Sequence, residues 1–276
     1  MAGAEPGAVA ARVRRARPRP GRPGAGRSGT RVSFSIWTDY FGELTVVTDT
    51  DVVTGRPLAT RLFGFENLSD PARAAAEIPG GGGCFGFVAQ GAVELVEPVD
   101  GADRALRAEI GPLEYFATAG AAALRLAPAT RVVVSQRLGH VGLRQRGGPI
   151  EPTGRLRYID GCSDTLLAGP ARRGDPCLNH LHFPPGVLQT EHHHPSARTG
   201  VVARGAGWCD TAAGRDALRP GTIFCIPAGG RHRFVTDDAS LDVIAFHPDS
   251  DTGPTDDDHP MINRTWLTAP SAEQVP

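Results

Sequence analysis

The stretch "GVLQTEHHHPSARTGVVARG", residues 186–205, sets three consecutive histidines between two glycines. His192 and His194 lie two apart. On an extended chain, residues i and i+2 project to one face and the residue between them to the other. The spacing therefore predicts a strand with two imidazoles on an inward face and His193 turned away. A third imidazole follows in "IPAGGRHRF", where Pro227 and the Gly229-Gly230 pair predict a turn that delivers His232 to the start of another strand. Three nitrogen donors converging from two segments form a facial set suited to a divalent cation.

The chain around this stretch reads as all-β. "RVSFSIW", "ELTVVTDTDVV", "CFGFVAQGAVELV", "TRVVVSQRL", "LRYIDG", "LNHLHF", "TGVVARGAGW", "TIFCIP" and "SLDVIAFH" are short runs, many of them β-branched, separated by Gly, Pro and Asp turns. Such spacing predicts a sandwich or barrel. Helical periodicity is weak, with one short helix expected in "DPARAAAEI", capped by Asp70 with Pro71 at its first position. The chain also repeats itself. "CFGFVAQG" (84–91) aligns with "RTGVVARG" (198–205), and "GPLEYFATAG" (111–120) with "GTIFCIPAGG" (221–230). Two blocks in one order at nearly constant offset predict two copies of one β-domain that share an interface.

These residues resemble the cupin superfamily. Its first motif is Gly, five residues, His-x-His, three or four residues, Glu, six residues, Gly. Here the series runs Gly186, His192-x-His194, Arg198, Gly205 with matching gaps. The second motif is Gly, five residues, Pro-x-Gly, two residues, His, three residues, Asn, and here it runs Gly221, Pro227-x-Gly229, His232, Thr236. The resemblance implies a bicupin, two tandem jelly-roll-like barrels. The expected organisation is an Arg/Pro/Gly-rich disordered arm at 1–31, a degenerate barrel over 32–147, a metal-binding barrel over 148–268 and a flexible tail at 269–276. In the first copy the matching positions are Ile78, Gly80, Cys84 and Ala122, so that barrel is expected to lack the site.

The resemblance breaks at Arg198, which stands where the family carries a glutamate ligand. A guanidinium stays protonated and has no lone pair to give. Cupins with three histidines and no acid include dioxygenases that use non-haem iron. By that resemblance the chain is an Fe(II)-dependent oxygenase acting on a small polar or anionic metabolite, with Zn(II), Ni(II) or Mn(II) as other metals that three imidazoles bind. The alternatives are a metal-dependent lyase, isomerase or cyclase, and a non-enzymatic small-molecule-binding cupin.

Arg198 has two readings: a clamp for a substrate carboxylate, or a side chain in solvent or paired with Glu191. A one-residue slip of the alignment puts Thr199 in the glutamate slot instead. Gln189 and Tyr158 are further candidates to orient substrate, as is Arg231. His180 and His182, also two apart, are candidate pocket residues or extra ligands, and Glu191 a candidate oxygen donor. His247 and His259 both precede proline, where a structural loop role is expected.

Composition excludes several chemistries. All 29 basic residues are Arg, so no lysine Schiff base or lysine phosphate clamp exists. Net charge is −1, which gives no general field for nucleic acid or membranes. "GGGGCFG" at 80–86 has no following lysine or helix pattern, and no GxSxG elbow occurs. Five scattered cysteines without CxxC spacing argue against a disulfide framework or zinc ribbon and favour the cytoplasm. The expected partners are a small-molecule substrate and a second copy in a homodimer, with neither nucleic acid nor membrane.

Overall fold

The computed structural model describes residues 34–51, 53–99 and 103–251. The predicted arm at 1–31, the tail at 269–276 and His259 lie outside the described residues.

The described chain is almost entirely strand. In the first half run β1 (Ser35–Trp37), β2 (Gly42–Thr50), β3 (Pro57–Asn67), β4 (Ala75–Ile78), β5 (Gly82–Gln90), β6 (Val93–Pro98), β7 (Ala105–Ile110), β8 (Tyr115–Thr118), β9 (Ala122–Leu126) and β10 (Thr130–Leu138). In the second run β11 (Gln145–Gly147), β12 (Leu156–Arg157), β13 (Ser163–Ala168), β14 (Cys177–Phe183), β15 (Arg198–Gly205), β16 (Gly207–Thr211), β17 (Gly214–Leu218), β18 (Ile223–Ile226), β19 (His232–Val235) and β20 (Leu241–His247). They form two β-barrels, each made of one large and one small antiparallel sheet. The first combines the order β11-β8-β5-β10-β3-β2 with β4-β9-β6-β7, the second β1-β18-β15-β20-β14-β13-β12 with β17-β16-β19.

The expected helix is absent. Asp70 does cap a turn, its carboxylate accepting the Ala72 N–H with Pro71 following, but the turn is a 3-10 turn of three residues. Residues 75–78 then pair with β9, because burying Ala76 and Ile78 in the barrel outweighs the helical preference of an alanine run. "LRYIDG" is strand only at Leu156–Arg157 and then bends through a second 3-10 turn over Ile159–Gly161.

The two barrels are copies of one design. Gly86 faces Phe116 across the β5–β8 ladder, and Gly200 faces Phe224 across the β15–β18 ladder. In both, the aromatic ring occupies the space a Cβ would need, with ring atoms 2.1 Å and 2.4 Å from the ideal position. These ladders correct the alignment of the second repeat block. Phe116 corresponds to Phe224, 108 residues on, so the glycine pairing at 111 and 221 is two residues out of register within the strand. Leu113 is the true equivalent of Gly221. Both have positive φ, and both donate from N–H to a valine carbonyl, Val88 and Val202.

Each copy lends its first strand to the other. β1 pairs with β18 (Ile36 opposite Phe224), while its equivalent β11 pairs with β8 (Arg146 opposite Phe116). Residues 35–37 thus complete the sheet of the second barrel. Between the large sheets lies a shared core that includes Leu62, Phe85, Phe87, Val133, Leu178, Val201, Ile244 and Phe246, with the Phe85 and Phe246 rings 5.2 Å apart. Ser135 and Thr199 place their hydroxyls 2.8 Å apart within this interface. Each barrel is filled by its own apolar cluster, around Ile78, Phe116 and Leu124 in the first and Phe183, Phe224 and Phe234 in the second. All five cysteines are buried and unpaired. Among the described residues no helix is long and apolar enough to cross a membrane.

Candidate metal centre

The histidine segment is not a strand. It runs irregularly and meets β19 through one isolated bridge, His192 opposite His232. The proline at 195 and the need to bend over the barrel mouth leave no continuous ladder for it. The expected alternation survives locally: His193 is exposed, while His192 and His194 turn inward. The Pro227–Gly230 turn fixes the rest. Gly229, with φ +68, donates its N–H to the His194 carbonyl at 2.7 Å, and Gly230 donates to Pro227 O at 2.9 Å.

The three rings converge. His192, His194 and His232 each offer a nitrogen, and these atoms all lie within 4.8 Å of one another. Ring centroids are 4.5 Å apart for His192 and His232, 5.0 Å for His192 and His194, and 5.3 Å for His194 and His232. Two rings are oriented from behind. His192 Nδ1 donates to Thr190 O at 2.8 Å and His232 Nδ1 to Gly230 O at 2.9 Å, which fixes the tautomer and leaves Nε2 as the free donor. Burial, the Arg198 charge and the neighbouring imidazoles push His194 down to about 3, and burial pushes His232 down to about 4. Both rings are therefore neutral at pH 7, the form that coordinates a cation.

A narrow cavity of about 60 Å³ adjoins these rings. Arg198, Gln189 and Tyr158 all line it. Arg198 neither points into solvent nor pairs with Glu191. It opens β15 on the inner face, and its Nη1 donates to Ser196 O, Ser196 Oγ and Ala197 O at 3.0, 2.7 and 3.0 Å. Its Nε is buried without a hydrogen-bond partner. Burial disfavours its charge, which the nearby Asp249 supports. Glu191 instead pairs with Arg231 at 2.7 Å on the exposed rim, so neither belongs to the cavity wall. Thr199 faces the inter-barrel core, which excludes the shifted alignment. Gln189 is 1% exposed, and its Oε1 accepts the Phe234 N–H at 3.1 Å. Burial raises the Tyr158 hydroxyl.

His180 and His182 are not at this site. Both point out of the barrel to Asp242 Oδ1, at 2.8 and 2.9 Å, while Arg204 Nε donates to Oδ2 at 2.9 Å. The inward positions of β14 are the alternate ones, so Asn179, Leu181 and Phe183 reach the cavity. Asn179 Nδ2 donates to both Asp164 carboxylate oxygens at 3.1 and 2.9 Å; burial raises Asp164 against that bond. Asn179, Asp164 and His247 are cavity residues that sequence reasoning missed. Leu181 and Phe183 carried the parity signal, because apolar side chains of a barrel strand face inward. His247 is corrected from a loop role. It ends β20, lines the cavity and lies 6.4 Å from the His194 ring, and burial holds it well below its usual range.

In the first barrel, Ile78 and Ala122 pair as His192 and His232 do, but both are buried in the apolar cluster. Cys84 is also buried there, and desolvation pushes its thiol up to about 11. Thr236 holds the asparagine position of the second motif, donating to Pro184 O at 2.6 Å and accepting the Val187 N–H at 2.9 Å.

The model of the AraC-like ligand binding domain family matches residues 177–258, which span the two histidine segments. A putative glyoxylate induced protein from Pseudomonas aeruginosa superposes with a TM-score of 0.50 at 13% identity, over 86% of this chain and 96% of that one. The chain shares the fold of that protein. A cupin 2 conserved barrel domain protein from Leptotrichia buccalis gives a TM-score of 0.48 at 11% identity, over 74% of this chain and 89% of that one. Oxalate decarboxylase from Bacillus subtilis, a protein with Mn(II) centres, gives 0.46 at 10% identity, over 83% of this chain and 80% of that one. No curated protein matches this chain in sequence. At 13% identity the likeness to the Pseudomonas aeruginosa protein is one of fold.

Proposed function

We propose that this chain is a cupin and a non-haem Fe(II)-dependent oxygenase of the three-histidine type, acting on a small polar or anionic metabolite. The observation that carries the reading is the imidazole trio with its nitrogens within 4.8 Å. Donor chemistry fits a divalent ion: three imidazole nitrogens, two of the rings oriented by carbonyls, and no carboxylate among the three. Such a set leaves the ion its full charge, and Fe(II) bound there would supply dioxygen chemistry.

The chain's own residues would do the rest. Arg198 presents a buried, unpartnered Nε to the cavity and would orient a substrate carboxylate. Tyr158 and Gln189 would complete the polar wall, and the Phe183, Phe224 and Phe234 side would exclude water. The space of 60 Å³ holds roughly four or five waters, which favours a substrate of few heavy atoms.

A second reading, a small-molecule-binding cupin without turnover, is favoured by the match to a ligand-binding family over residues 177–258. Elemental analysis of anaerobically purified protein, followed by dioxygen uptake across small carboxylates, separates them. Iron near one per chain with substrate-dependent uptake supports the oxygenase. Turnover with zinc or nickel and no uptake points to a lyase, isomerase or cyclase. Binding without turnover supports the second reading.

A further inference from the structure

The first barrel, which carries none of the three converging histidines, has a larger cavity of its own. About 490 Å³ in volume, it opens where β7, an edge of the small sheet, faces β11, an edge of the large sheet. No ladder joins those edges, so the barrel stays open along this side. None of the lining residues is Ile78, Gly80, Cys84 or Ala122, so the cavity is not the remnant of a metal site.

Its walls have a definite chemistry. Leu95, Leu106, Ala108 and Ala117 form an apolar floor, and Leu106 is 47% exposed within it. Three guanidinium groups, Arg107, Arg144 and Arg146, surround that floor against a single carboxylate, Glu97. Glu97 is 8% exposed and accepts from Arg144 Nε at 2.9 Å. Arg107 is engaged by Glu94 at 2.8 Å. Arg146 has no acidic partner among the described residues. Arginines remain charged at every working pH, and their planar forks match carboxylates. With Arg144 held by Glu97 and Arg107 by Glu94, Arg146 leaves one uncompensated positive charge at the opening, which an anion would offset. The volume falls within the range of small-molecule sites.

We infer that this opening is a second ligand site, one that takes a small organic anion with an apolar body. The apolar portion would rest on Leu95, Leu106 and Ala108, and the anionic group would meet Arg146 and Arg144. The inference is independent of any metal in the second barrel.

The test uses benzoate as probe, with benzyl alcohol as its uncharged counterpart, titrated calorimetrically into the full chain. Benzoate is expected to bind about tenfold or more tightly than the alcohol, and Arg144→Gln and Arg146→Gln each to weaken it about tenfold. His232→Ala should leave benzoate binding unchanged. Arg146 is exposed and forms no ion pair, so its substitution tests the site without threatening the fold. No heat of binding at about 10 mM benzoate, equal affinity for the alcohol, or affinity insensitive to Arg146→Gln would overturn the assignment. So would loss of binding in His232→Ala, which would place benzoate in the other barrel.

Discussion

His192 and His232 exchange a pair of backbone hydrogen bonds, N–H to O at 3.0 and 2.9 Å, and their rings stand 4.5 Å apart. In the first barrel the same bridge joins Ile78 to Ala122. One backbone frame thus serves an imidazole pair in one copy and an apolar pair in the other. The frame sets the separation and the side chains decide the chemistry.

That frame makes the ligand set separable by substitution. His192→Ala, His194→Ala and His232→Ala should each lower affinity for divalent metal by at least about 100-fold, beyond the 10–100-fold typical of removing a supporting partner. His193→Ala, at an exposed position, should retain metal. Metal content after dialysis, read by elemental analysis, checks the contrast.

The metal-free protein should be destabilised by mild acid. His194 and His232 titrate near 3 and 4 when folded but near 6.5 when unfolded. Below about 6.5 the unfolded chain binds more protons, so stability should rise with pH between about 4 and 6.5 and then level off. Denaturant melts of metal-free wild type and His232→Ala across that window should show a smaller slope in the variant.

Arg198→Met should preserve metal content, because no guanidinium nitrogen can coordinate. It removes charged donors to Ser196 and Ala197, so unfolding free energy should fall by about 1.5–3 kcal/mol. If Arg198 orients a carboxylate, binding of anionic ligands at the second barrel should weaken while binding of neutral ones does not. Paired titrations read the difference.

The buried carboxylate of Asp242 is predicted to be structural. Burial would raise it, but hydrogen bonds from His180, His182 and Arg204 outweigh that and hold it below the usual range. Asp242→Asn should cost about 3–5 kcal/mol by leaving buried donors and charge uncompensated, with metal affinity unchanged. Chemical denaturation together with metal titration distinguishes this from a role at the site.

Gly86→Ala and Gly200→Ala should each destabilise by about 1–3 kcal/mol or more, since the new methyl would overlap the rings of Phe116 and Phe224. Gly120→Ala, with nothing within 4 Å, is the matched control. Thermal melts give the ranking.

Much of this was legible in the residue order. Gly186 to Gly205 and Gly221 to Thr236 carry the barrel and the histidine trio because turns and side-chain alternation are local properties, fixed by glycine, proline and spacing. The repeat was legible for the same reason, though its second block was two residues out, since Leu113 takes a backbone conformation that glycine usually marks. Tertiary structure alone decided three other matters. It set the parity of β14, which sends His180 and His182 to Asp242 and Asn179 to the cavity, because a strand's inward face is chosen by its neighbours. It brought His247 beside His194 across 53 residues, and it exchanged β1 and β11 between barrels. Those contacts depend on which distant strands pair, and a three-residue edge strand bears no mark of the sheet it will join.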